Sequence, residues 1–157
     1  LVDRYEHFPS PVLISQSLVT QNAGIINTPT LAVFEVYDTT SAGISHSTTV
    51  NPGRITIGVP GVYLVTVSAQ IGPTLGATVW LWPRFNGSDG PDSSNAGIPA
   101  SGAAQLEMQW LRRLGVGDYW EFWWSTSNVL SGLIATAAPA WAPGIPSITC
   151  TFQWVST

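Results

Sequence analysis

Charge is what this chain has least of. Charged side chains make up 9% of its 157 residues, against about a quarter in an ordinary soluble domain. Lysine is absent: the five basic residues are all arginine, at positions 4, 54, 84, 112 and 113. With a net charge of −4 and only Arg112 and Arg113 adjoining, no cation cluster exists to meet phosphates, which excludes a nucleic-acid surface. Cysteine occurs once, as Cys150, so no intrachain disulfide can form and the fold does not depend on an oxidising compartment. No convincing amphipathic helix can be read in the sequence. Gly-rich phosphate loops, HExxH and GxSxG are missing too, which leaves no signature of nucleotide, zinc-peptidase or serine-hydrolase chemistry. No enzyme and no cofactor are expected. The apolar stretch from Leu133 to Pro146 is broken by Pro139 and Pro143 and cannot cross a membrane as a helix. The start, with its charges, Pro9 and Pro11, does not read as a signal peptide.

Aromatic residues are abundant: eight Trp, five Phe and four Tyr. A chain of this length suits one domain with a sizeable core. It has too little charge to cover its own surface, and monomers rarely tolerate the apolar patches that would result. Part of the surface is therefore expected to be buried by other subunits.

Strand periodicity is clearest between Arg54 and Ile71. Ile55, Ile57 and Val59 alternate with Arg54, Thr56 and Gly58, and Tyr63, Val65, Val67, Ala69 and Ile71 alternate with Leu64, Thr66, Ser68 and Gln70. Pro60 has no N–H for a ladder and Gly61 tolerates unusual backbone angles, so the chain is expected to turn between the two strands. Further strands are read over 12–19, 31–37, 77–85, 105–114, 118–126 and 148–155. Pro83 marks an edge or a bulge. In 118–126 Trp120, Phe122 and Trp124 share one face and Tyr119, Glu121 and Trp123 the other, which implies burial on both sides. Cys150 alternates with Ile148, Phe152 and Trp154 and reads as a buried small hydrophobe. Residues 38–53 and 86–102 read as long polar connections. Roughly eight to ten short strands and no helix make an antiparallel β-sandwich or jelly roll. Residues 1–29 are assigned to an arm and first strand, and 30–157 to the sandwich.

His7 and His46 stand apart from other metal-ligating residues and read as solvated or hydrogen-bonded surface side chains. The 86–102 segment gathers oxygen ligands, and Asp89 with Asp92 is a conceivable Ca²⁺ pair, but the spacing is not that of an EF-hand and a turn-rich loop is the simpler reading. Asn86-Gly87 reads as a turn between strands. Trp80, Trp82 and Trp141 invite a carbohydrate-stacking role, with core and subunit interface as the structural alternative. Because Arg112 and Arg113 point to opposite faces, one of them is expected to meet a carboxylate such as Glu107 or Glu121.

The order of these motifs resembles the jelly-roll family of complement globular heads and tumour-necrosis-factor ligands, in the variant found on virion proteins of tailed bacteriophages. Ser47-Thr-Thr-Val-Asn-Pro-Gly-Arg-Ile-Thr-Ile, Pro60-Gly61-Val62-Tyr63-Leu64, Gly117-Asp118 opening an aromatic strand, and Phe152 in the closing strand carry the resemblance. It implies a trimer about a threefold axis with aromatic strands near that axis, and so Tyr63, Trp110, Tyr119 and Trp123 as interface residues. The function it implies is that of a capsid decoration or head-fibre protein on the virion surface. Arg4, Tyr5 and Phe8 of the arm would contact the major capsid protein. The alternative expectation is a tail-fibre tip that grips a host-surface glycan through Asn86, Asp89, Asp92, Trp80 and Trp82.

Overall fold

The structure, a computed structural model, describes residues 10–91, 93–99 and 102–157, and among them every regular element is a strand. In chain order these are β1 (Val12–Ser17), β2 (Gln21–Asn22), β3 (Thr30–Leu31), β4 (Val36–Thr40), β5 (Ile44–His46), β6 (Arg54–Ile57) and β7 (Gly61–Gly72). There follow β8 (Val79–Phe85), β9 (Ser88–Asp89), β10 (Asn95–Gly97), β11 (Ala104–Leu114), β12 (Tyr119–Thr126), β13 (Gly132–Leu133) and β14 (Ile148–Ser156). The first sheet runs β2-β13-β7-β14-β1-β4, with β11 along the other side of β7. The second runs β10-β8-β12-β6-β5, with β3 beside β12 and β9 beside β8. All pairings are antiparallel.

Alternation decides which side of each sheet is core. On β7, Tyr63, Val65, Val67, Ala69 and Ile71 are buried while Val62, Leu64, Thr66, Ser68 and Gln70 lie half-buried on the outward face. Between the sheets, Trp120 meets Phe85 at 4.1 Å, Trp110 at 5.5 Å and Phe152 at 5.7 Å between ring centroids. Phe122 continues the cluster to Phe34 and Phe152. Such pairs add about 0.5–1.5 kcal/mol each beyond the area they bury. Pro83 is tolerated inside β8 because its carbonyl accepts from Gly90 N–H, which puts its own missing donor on that same side, away from β12. That position lies between the residues of β8 paired with β10 and those paired with β9.

The Pro60-Gly61 turn is a passage between sheets, since β6 belongs to the second and β7 to the first. Its geometry is fixed by four hydrogen bonds. Tyr63 Oη donates to the Val59 carbonyl at 2.6 Å, Gly58 and Val59 N–H both donate to Gly43 O, and Trp154 Nε1 donates to Pro60 O. Gly61 is required by close approach: a Cβ there would fall 2.2 Å from Trp154 Nε1 and 2.6 Å from Ser156 O.

Several expectations are corrected. The segment 31–37 is not one strand: β3 pairs with β12 in the second sheet and β4 with β1 in the first, while buried Phe34 anchors the crossing between them. Residues 38–53 contain the end of β4 and all of β5, and 86–102 contain β9 and β10. β1 lies between β14 and β4, so the sandwich includes residues 12–17 instead of starting at 30. Two other expectations hold. His46 is hydrogen-bonded, half-buried with its Nε2 donating to Pro52 O at 2.9 Å. Cys150 is buried, 1% exposed, and burial pushes its thiol well above the ordinary range.

Tyr63→Phe removes one hydroxyl and is expected to lower stability by about 1 kcal/mol, read as a lower denaturant midpoint at unchanged slope with the state of association unaltered. Cys150 is expected to ignore a thiol reagent in the native protein and to react at the rate of global unfolding; fast native labelling would contradict its burial.

Candidate functional site

The outward face of the second sheet carries two ion pairs, Arg54–Glu121 and Arg84–Asp89. On β8, Val79 and Leu81 point inward and Trp80, Trp82 and Arg84 outward; on β12, Trp120, Phe122 and Trp124 point inward and Tyr119, Glu121, Trp123 and Ser125 outward. Cross-strand register sets Trp82 beside Trp123, Arg84 beside Glu121 and Arg54 on the other side of Glu121. Arg54 Nη2 lies 2.9 Å from Glu121 Oε1, and Trp123 Nε1 donates to Glu121 Oε2 at 3.2 Å. Arg84 Nε and Trp82 Nε1 both donate to Asp89 Oδ1, at 2.8 and 2.9 Å. The two guanidiniums also stack, Arg54 at 3.9 Å from the Tyr119 ring centroid and Arg84 at 4.0 Å from that of Trp123. Glu121 is buried, and removing Arg54 would strand its charge. The exposed Arg84–Asp89 pair contributes little to stability by itself and acts mainly to fix the orientation of Trp82.

The connection from β8 to β9 is the expected Asn-Gly turn: Asn86 and Gly87 have φ of 47° and 81°, as a type I′ hairpin requires. Asn86 also ties this turn to the next loop, donating to Asp118 Oδ1 and accepting from Tyr119 N–H. The Arg84 bond, then the Trp82 bond, holds the Asp89 carboxyl below its ordinary value. The Gly115 N–H, then Asn86, does the same for Asp118.

Beside Asp89 the sheet carries an open depression of about 360 Å³, lined by Trp80, Trp82, Asp89, Ser94, Ser125 and Asn27. Of the residues expected in a ligand loop, Trp80, Trp82 and Asp89 converge there. Asn86 does not, because it is committed to Asp118 and Tyr119, and Asp92 lies outside the described residues. Asp89 is engaged by Arg84 and Trp82, and among the described residues no three His, Cys, Asp or Glu side chains cluster to hold a metal. Asn27 and Ser125 were not expected in the site. They come from distant segments, and the only local sign is the Asn27-Thr-Pro turn, where Asn27 takes a φ of 53°.

The four residues expected at a subunit interface do not share a surface. Tyr63 is 0% exposed within its own chain, and half-buried Trp110 packs on Trp120 and Phe122 inside the sandwich. This corrects their assignment: the alternation was right, but their face is the core. Tyr119 and Trp123 lie outward on the second sheet beneath the two guanidiniums. Arg4, Tyr5 and Phe8 lie outside the described residues. Neither member of the Arg112-Arg113 pair forms an ion pair with an Asp or Glu among the described residues. Arg112 stacks at 3.8 Å on Phe85 and Arg113 donates to Thr157 O, because Glu121 is held by Arg54.

The outward face of the first sheet is chemically different. β1, β7 and β14 contain no charged residue at all, and Glu107 and Arg113 sit on the flanking strand β11. Its middle is hydroxyl, amide and aliphatic: Thr66, Ser68, Thr149 and Thr151 line a shallow depression of about 420 Å³, and Leu64 pairs with Leu111, which is 67% exposed.

No protein-family model and no curated protein matches this sequence. Among solved structures the chain is similar to murine APRIL, a jelly roll of the tumour-necrosis-factor family. The crystal structure at pH 5.0 superposes with a TM-score of 0.63 at 11% identity, over 93% of this chain and 99% of that one. The crystal structure at pH 8.5 gives 0.61 at 10% identity with the same coverage. The likeness is one of fold: an antiparallel jelly-roll sandwich of the tumour-necrosis-factor type.

Since both carboxyls are lowered in the folded chain, the stability they confer is complete above their ordinary value of 3.8 and is lost as pH falls through the lower folded values. The melting temperature is expected to drop below that pH, and an Asp89→Asn, Asp118→Asn double variant to lose part of that drop. An identical acid profile in the two proteins would contradict the assignment.

Proposed function

We propose that this chain is a trimer-forming structural protein of a tailed-phage virion, a capsid decoration or head-fibre protein whose work is mechanical and not catalytic. The observation that carries the reading is the contrast between the two outward faces. The second sheet is covered by the chain's own ion pairs and stacked guanidiniums. The first offers three adjacent strands without a charge, a surface that costs little to desolvate and that another copy can cover. The interface assigned here is therefore the outward face of β1, β7, β14 and β11, in place of Tyr63, Trp110, Tyr119 and Trp123.

The virion role is supported by the resemblance carried by residues 47–64, Gly117-Asp118 and Phe152, and by a composition that favours life in an assembly. In this reading Arg4, Tyr5 and Phe8 contact the major capsid protein. Pro11 O accepts from Trp154 N–H, so the chain enters the sandwich at the end that holds the Pro60 turn. The loops at 73–78 and 127–131, joined through Thr74 and Ser131, close the other end of β7. A trimer seated by its arms would turn those loops outward.

Light scattering of the purified chain is expected to return three subunits. Leu111→Asp, a change at an exposed site, is expected to weaken association by about a hundredfold while leaving the melting curve of the single subunit unchanged. A stable monomer at micromolar concentration, or a Leu111→Asp protein that stays trimeric, would contradict the interface. Particles assembled without the protein are expected to lose heat or osmotic resistance; unaltered particles would contradict the decoration role.

A further inference from the structure

We propose that the depression floored by Trp80 and Trp82 is a binding site for a neutral pyranose sugar. Its volume of about 360 Å³ falls in the lower range of small-ligand sites, and its lining divides into two chemistries. The floor is two indoles at alternate positions of β8, both half-buried. The rim is polar and unspent: among the described residues the side chains of Asn27, Ser94 and Ser125 make no hydrogen bond. By contrast Asn86, Asn128 and Ser93 are all engaged.

Asp89 supplies the strongest acceptor. Its Oδ1 takes the Trp82 and Arg84 bonds at 2.9 and 2.8 Å, which hold the carboxylate in position and leave Oδ2 available. The Trp82 N–H is consumed by the same contact, so its ring is locked before any ligand arrives and little side-chain entropy remains to be lost. A pyranose matches this arrangement: one face presents C–H groups to the electron-rich face of an indole, and the edge carries hydroxyls that donate to a carboxylate and exchange bonds with amide and hydroxyl groups. The ligand is neutral because, among the described residues, the cation beside the site is already engaged. Arg84 is bound to Asp89 and stacked on Trp123, so an acidic sugar would bring a second negative charge to a pair that is already balanced. The site lies on the second sheet, on the opposite side of the sandwich from the assigned subunit contact, and stays open in the trimer.

The test is titration of the intact protein, followed by intrinsic tryptophan fluorescence and by NMR shifts of indole N–H groups. The probes are the methyl pyranosides of glucose, galactose, mannose and N-acetylglucosamine, with methyl glucuronide as the acidic control. At least one neutral glycoside is expected to bind saturably in the millimolar range, with Trp80→Ala and Asp89→Asn each weakening it about tenfold or more. Asn27→Ala, at an exposed turn, gives the same reading should Trp80→Ala fail to fold. No saturation by any neutral glycoside up to about 100 mM, binding unchanged in all the folded variants, or preference for the glucuronide would each overturn the proposal. Light scattering on the same samples separates this outcome from failure of the trimer.

Discussion

Everything in this molecule is organised around the placement of very few charges. Arg54, Glu121, Arg84 and Asp89 form two ion pairs on one outward face, where two arginines also lie flat on Tyr119 and Trp123. Four ionic side chains thereby cover a face that would otherwise be largely indole and phenol. Nothing comparable remains for β1, β7 and β14, and the asymmetry between the faces is a direct consequence of how little charge the chain contains.

The interior is governed by bulk. Trp120, Phe122, Phe34, Phe85 and Phe152 meet edge to face or tilted across the two sheets, and the area they bury outweighs local polar costs. Trp120 Nε1, Trp124 Nε1 and Glu35 Oε2 are buried without a hydrogen-bond partner among the described residues, each at a cost of about 1–3 kcal/mol. The Pro60-Gly61 passage holds the sheets at one end through Tyr63 and Trp154. That the Tyr63 hydroxyl turns back on its own chain explains why this residue, which alternation alone could set on either side of the sheet, belongs to the core.

Long strands were legible because their period is two and their inward residues are bulky: β8 and β12 lie within the ranges the alternation predicts, and β7, β11 and β14 run past theirs by no more than a residue or two. Where one strand ends and the chain changes sheet, periodicity carries no mark, and the split of 31–37 into β3 and β4 depends on Phe34 finding a place between layers. Two-residue strands such as β2, β9 and β13 have no period to read. The candidate site was half legible. Trp80, Trp82 and Asp89 lie close in sequence and share a side of one hairpin, whereas Asn27 and Ser125 are brought to them only by the antiparallel packing of β12 and the turn that donates Asn27 N–H to Thr126 O.

The central claim, that the outward face of β1, β7, β14 and β11 is covered by neighbouring copies, is most directly tested by hydroxyl-radical footprinting of the native protein. Leu75, Leu111 and Leu130 are 71%, 67% and 69% exposed in the single chain, so intrinsic reactivity and local access are matched. Leu111 is predicted to be oxidised far more slowly than the other two. Equal modification of all three leucines would show that the face is open to solvent and would contradict the account.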